Sequence, residues 1–280
     1  MNTNKLICMV VMMVSFCAYA GVENAPKPWS FPKVEQPISD NVLYIPIADS
    51  SVKSLPINES GEELIDLLKM NNPRIKPMSA FSLKYQNTYE GFSKVRYGVY
   101  EKLLKMLELL PQQFGIAYFE GFRPLHKQKE YFDNKFKEFL VTTNDKELAY
   151  QETSKQVSPF IDNIPTHTTG AAIDITLFII KEGQEELLDM GKFDVISGPN
   201  DQQETFSENT TKSQRNNRLL LLAAATNAGL VNYGFEWWHY SYGDKAWAFV
   251  KKQKEAIFGL TVPKNDPILS IDKKTYLESF

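Results

Sequence analysis

His167-Thr168-Thr169-Gly170-Ala171-Ala172-Ile173-Asp174 is the stretch on which the reading of this chain turns. A histidine is followed by small residues and an aspartate, and the chain then continues with Ile173, Ile175 and Leu177 alternating with Asp174 and Thr176. That alternation predicts a strand with one apolar face, and it aims the Asp174 carboxylate away from the core. Gly170, Ala171 and Ala172 permit the tight turn that His167 and Asp174 need in order to converge. Further along, Glu236-Trp237-Trp238-His239 places a glutamate three residues before a second histidine. On a regular strand those two side chains would face opposite ways, so a bend is predicted at Trp237-Trp238.

Together the two segments predict one Zn2+ per chain. His167, Asp174 and His239 are the expected ligands, three in number, which leaves the fourth position of a tetrahedral site open. Glu236 is the expected general base, and Arg123 the group expected to stabilise an oxyanion. Arg123 belongs to the turn Gly121-Phe122-Arg123-Pro124, at the end of a predicted buried strand over Ile116–Glu120, where a rigid element can hold it toward a cleft. Three ligands, a base and an arginine are the parts a metal-dependent peptide hydrolase requires. Taken singly, a histidine near an aspartate and a tryptophan pair are common core features, and the inference rests on their combination. A serine nucleophile is disfavoured because no G-x-S-x-G elbow occurs.

Outward from these segments, the composition is that of a folded globular protein, with 280 residues, 43% hydrophobic and 23% charged. A formal net charge of -3 argues against a nucleic-acid partner, which would need a basic face. The first twenty residues are different: Lys5, the apolar run Leu6 to Ala18, and the A-x-A site Ala18-Tyr19-Ala20 predict a signal peptide cleaved after Ala20. The run is too short for a membrane span, and no later segment is long and apolar enough to be one. Export to the periplasm or the exterior follows as an expectation. Cys8 and Cys17 both fall in the predicted signal, so the mature chain is expected to lack disulfides and any cysteine nucleophile. No pattern sets an oligomeric state.

An extended arm is predicted over about residues 21–40, followed by an edge strand near Asn41–Ile47, where Pro46 cannot donate to a central ladder. Ser60-Gly61-Glu62-Glu63 reads as a capping box opening a helix to about Met70. Amphipathic spacing predicts a helix from about Tyr97 to Leu110, stopped by Pro111. Further helices are expected over Leu125–Leu140, Asn144–Lys155 and Arg218–Asn227, the last capped by Gly229. Residues 181–212 read as a polar excursion over the surface, and His126 as a plain helix-start residue. No linker divides residues 21–280, which are expected to form a single domain.

Over roughly residues 90–250 the sequence resembles the D-alanyl-D-alanine dipeptidases, zinc enzymes of a superfamily that includes D,D-carboxypeptidases. The resemblance is carried by Gly121-Phe122-Arg123-Pro124, by His167-x-x-Gly170-x-Ala172-x-Asp174, and by Glu236-Trp237-Trp238-His239-Tyr240-Ser241-Tyr242-Gly243-Asp244. It implies an α+β fold, an antiparallel sheet holding the metal with helices packed on it, and a small dipeptide as substrate in cell-wall peptide turnover. It implies the same ligands, base and arginine as the residues themselves. Two positions depart from the family pattern: Pro165 stands where a serine is usual, and Met190-Gly191-Lys192-Phe193-Asp194 is one residue short of the element whose aspartate, here Asp194, holds the substrate ammonium. A D,D-carboxypeptidase or another peptidoglycan peptidase on the same site, and a non-catalytic zinc-stabilised envelope binding protein, are the alternatives.

Overall fold

The computed structural model describes residues 38–81, 89–193, 202–262 and 266–280, all within one unit, Phe31–Phe280. The predicted signal peptide, nearly all of the arm, and Asp194 lie outside the described residues.

The strands are β1 (Val42–Leu43), β2 (Leu64–Asp66), β3 (Ile75–Pro77), β4 (Lys94–Arg96), β5 (Phe114–Glu120), β6 (Ala172–Lys181), β7 (Gln184–Leu187), β8 (Val231–Tyr233) and β9 (His239–Ser241). The helices are α1 (Ser50–Lys53), α2 (Tyr97–Leu109), α3 (Leu125–Thr143), α4 (Lys146–Gln156), α5 (Lys212–Ala228), α6 (Lys245–Val250) and α7 (Lys273–Glu278). Strands lie in the order β1-β8-β9-β6-β5-β3, with β7 also paired to β6, while β2 and β4 form a separate ribbon. The fold is thus α+β, but the main sheet is mixed rather than antiparallel. Its centre, β5-β6-β9-β8, is antiparallel, whereas β3 joins β5 and β1 joins β8 in parallel. A parallel pair needs a crossover, and the chain between β3 and β5 supplies one through α2.

Local signals account for most helices. In α2 the buried residues Val99, Leu103, Met106 and Leu107 follow helical spacing, and the helix ends just before Pro111. Asn144, at φ 50°, caps α3. A capping box between Thr211 and Gln214 starts α5 ahead of its apolar run, and Gly229, at φ 101°, ends it. Where the 60–70 segment was expected to be helical, Ser60 does accept from Glu62 N–H, but the chain runs on into β2 and pairs with β4. Pairing with a distant strand outweighs the local cap there.

Most of β6 is buried on both faces, from Ala172 to Ile179. Asp174 is only 2% exposed, so the face opposite Ile173 and Ile175 opens on a cavity rather than on bulk water. The excursion after β6 also differs from a surface loop. It turns back at Glu182 and Gly183, both with positive φ, to make β7, and Met190, Gln203, Thr205 and Ser207 are buried. A second core of Phe132, Phe136, Tyr150, Phe160 and Tyr276 holds α3, α4 and α7 together. Among the described residues no helix is long and apolar enough to cross a membrane.

Candidate metal centre

The register of three strands builds the centre. Asp174 of β6 is paired with Glu120 of β5 on one side and with His239 of β9 on the other. Directly opposed residues share a face of the sheet with Cβ atoms about 5 Å apart, so the three side chains rise together. His167 arrives from a 3-10 turn, Thr166–Thr169, that ends at Gly170 with φ 71°. The positive φ favours glycine, and a Cβ there would lie 2.2 Å from Leu64 Cδ2 and displace the end of that side chain. The predicted bend after Glu236 is present, with His239 N–H donating to the Glu236 carbonyl at 3.2 Å.

His167 Nε2, His239 Nδ1 and Asp174 Oδ1 form a triangle with sides of 3.1, 3.1 and 3.3 Å. Zinc bonds of about 2.0–2.2 Å in a tetrahedral shell imply ligand atoms roughly 3.3–3.5 Å apart, so the triangle matches one face of such a shell. The protonation pattern agrees. His167 Nδ1 is 2.8 Å from the Gly121 carbonyl, which can only accept, so Nδ1–H donates and, once a metal displaces any proton on Nε2, that nitrogen presents its lone pair inward. His239 Nε2 has Thr166 Oγ1 at 3.2 Å, leaving Nδ1 for the interior. Two lone pairs and a carboxylate oxygen thus converge in a buried space, a donor set that suits a divalent cation. Without a metal the site protonates differently: although burial opposes both charges, Asp174 raises the pKa of His167, and the His167 charge and hydrogen bonds from His167 and His239 hold the Asp174 carboxyl well below the usual range.

Glu236 Oε2 lies 3.9 Å from His239 Nδ1, beside the triangle, with its side chain 23% exposed. Burial pushes its pKa up to about 7, against the pull of His239 and Arg123. Arg123 borders the same cavity, and its main-chain N–H donates to the His167 carbonyl at 3.1 Å. Its side chain makes a bidentate pair with the buried Glu120, and burial of that carboxyl is outweighed by the guanidinium, which keeps Glu120 below its ordinary pKa.

The sequence-predicted residues His167, Asp174, His239, Glu236 and Arg123 therefore meet at one cavity. Asp194 falls outside the described residues, and His126 is exposed on α3. Sequence reasoning missed Glu120, Gln128, Thr166 and Arg218. Arg218, 1% exposed, donates to the carbonyls of Met190, Gln202 and Glu204, and so ties both flanks of residues 194–201 together. An arginine at the head of an apolar run is the signal that could have marked it.

The family model described as D-ala-D-ala dipeptidase, peptidase M15, matches residues 105–258, which include every one of these site residues. The chain belongs to this family. It is therefore an enzyme of the metallopeptidase class, and the alternative of a non-catalytic binding protein is set aside. A D-alanyl-D-alanine dipeptidase of Synechocystis is 28% identical over 230 residues, covering 72% of this chain and 90% of the relative. One from Enterococcus faecium is 26% identical over 152 residues, 53% of this chain and 73% of the relative. Among solved structures, the LD-carboxypeptidase LdcB aligns with a TM-score of 0.39 at 16% identity, over 70% of this chain and 77% of that one.

Proposed function

We propose that this chain hydrolyses D-alanyl-D-alanine to free D-alanine, using one zinc ion held by His167, Asp174 and His239. The observation that carries the proposal is the donor triangle, with Glu236 and Arg123 on the walls of the same cavity. When bound, a zinc ion supplies Lewis acidity toward the substrate carbonyl and toward a water. Glu236, beside the donor triangle, takes the proton of the attacking water and returns it to the leaving amine. Arg123, fixed by Glu120, offers N–H groups to the oxygen on which negative charge develops. The predicted signal peptide supports action after export, in the periplasm or outside the cell, on peptides of cell-wall turnover.

One feature favours a second reading, a peptidoglycan peptidase that acts on longer chains. The cavity has a volume of about 440 Å³ and continues from the metal site along one face of α3, past Tyr131 to Lys135 and Glu138. From Gln128 to Glu138 that face covers about 15 Å of helix at 1.5 Å per residue. A dipeptide spans at most about 7 Å. The zinc-loaded mature protein should be given D-Ala-D-Ala, its N-acetyl form and a tetrapeptide ending in D-Ala-D-Ala. Preference for the free dipeptide supports the dipeptidase; preference for the blocked or longer chain overturns it in favour of the second reading.

A further inference from the structure

We infer that Gln128 is a positioning residue for Arg123, and that Gln128 and Glu120 together hold the guanidinium in one orientation at the cavity wall. The inference rests on the role assigned to Arg123 above. A guanidinium carries five N–H donors in a rigid plane. Two are taken by Glu120, from Nε at 2.8 Å to Oε1 and from Nη2 to Oε2. A third, from Nη1, goes to Gln128 Oε1 at 2.7 Å. The two that remain, one on each Nη, are available to a substrate oxygen.

Glu120 alone would fix one edge of the plane and leave the group free to rock about that edge. Gln128 removes that freedom because it is itself held. It is 0% exposed, in the first turns of α3, and its Nε2–H donates to the Ser158 carbonyl at 2.7 Å. Its amide is thereby oriented with the oxygen toward Arg123, and the link runs from the end of β5 through α3 to the segment after α4. Tyr89 adds support from the far side by donating to Glu120 Oε1, and the Tyr131 ring lies 4.9 Å from the guanidinium carbon. The sequence leaves Gln128 unremarkable, a polar residue five positions after Arg123 on a helix. Only its complete burial with both amide functions used separates it from an ordinary surface glutamine.

The role requires coupling to Arg123, which a purely structural glutamine would lack. Gln128→Met keeps length and removes the acceptor; it should lower kcat and kcat/KM together by roughly 10- to 100-fold, with metal content unchanged. Gln128→Glu restores an acceptor for Nη1 but, as a carboxylate, cannot donate to the Ser158 carbonyl, so it should recover only part of that loss. Where the methionine variant does not hold its fold, Gln128→Asn, too short to reach both partners, takes its place. In an Arg123→Ala background the Gln128 substitution should have no further effect on kcat. In the metal-free protein the two Nη1 protons of Arg123, held distinct in the wild type by the bond to Gln128, should average by rotation about Cζ–Nη1 in the variant, as read by 15N NMR. Additive losses with Arg123→Ala would overturn the positioning role. Full activity in Arg123→Ala alone would instead overturn the role of Arg123.

Discussion

Asp174 and His239, 65 residues apart in sequence, are register partners in neighbouring antiparallel strands, and Asp174 Oδ1 lies 3.1 Å from His239 Nδ1. The backbone ladder thus sets one edge of the donor triangle, before any metal binds. His167 completes it through two reciprocal ties to the next strand connection, its Nδ1–H donating to Gly121 O and its carbonyl accepting from Arg123 N–H.

Asp174→Asn keeps the shape of the side chain and removes its charge. Metal affinity should fall by more than the roughly 10- to 100-fold that loss of an outer partner costs. Thr166→Val removes the hydroxyl at His239 Nε2, and should fall within that smaller range. Metal content after dialysis against graded chelator measures both.

Glu236→Gln should retain metal and lose about 10²- to 10⁴-fold in kcat, the usual contribution of a general base. Steady-state kinetics with metal analysis on the same sample checks this. A fully active variant would remove Glu236 from the mechanism.

Gly170→Ala should cost about 2–4 kcal/mol, combining the left-handed backbone with overlap onto Leu64 Cδ2. The overlap belongs to one pair, so Leu64→Ala should cost less in the Gly170→Ala background than in the wild type. Urea denaturation of the four proteins gives the coupling.

Asp272 caps α7, and the Thr275 N–H donating to its carboxylate at 2.7 Å holds its pKa below the usual value. A depressed carboxyl adds stability that is complete above the unfolded pKa of about 3.9 and is lost as pH falls through the lower folded value. Below about pH 4 the cap weakens and the first turn of α7, which carries Tyr276, should fray, whereas Asp272→Asn should lack that acid-dependent step. The Tyr276 ring resonances, followed by NMR against pH, report it.

Much of the fold was legible where local chemistry decides. The α2 stripe with Pro111, the Gly229 cap, the β5 strand and the bend before His239 follow from spacing, caps and breakers that act within a few residues. In the 60–70 segment the local capping signal is outweighed by pairing with β4 and packing of Leu64 against Gly170. Pro46 marks β1 as an edge, but the parallel pairing of β1 and β3 leaves no local trace, since it arises from long crossovers.

For the site, the sequence by itself determined the donor types: two histidines and an aspartate with a glutamate and an arginine at characteristic spacings, in a chain whose family those motifs identify. Tertiary structure decided how they meet. A single-residue slip of β9 against β6 would turn His239 to the other face, because strand side chains alternate with period two. It also decided that Glu120 and Gln128 hold Arg123, for a buried hydrogen-bond partner is defined by what surrounds it in space, which no local spacing records.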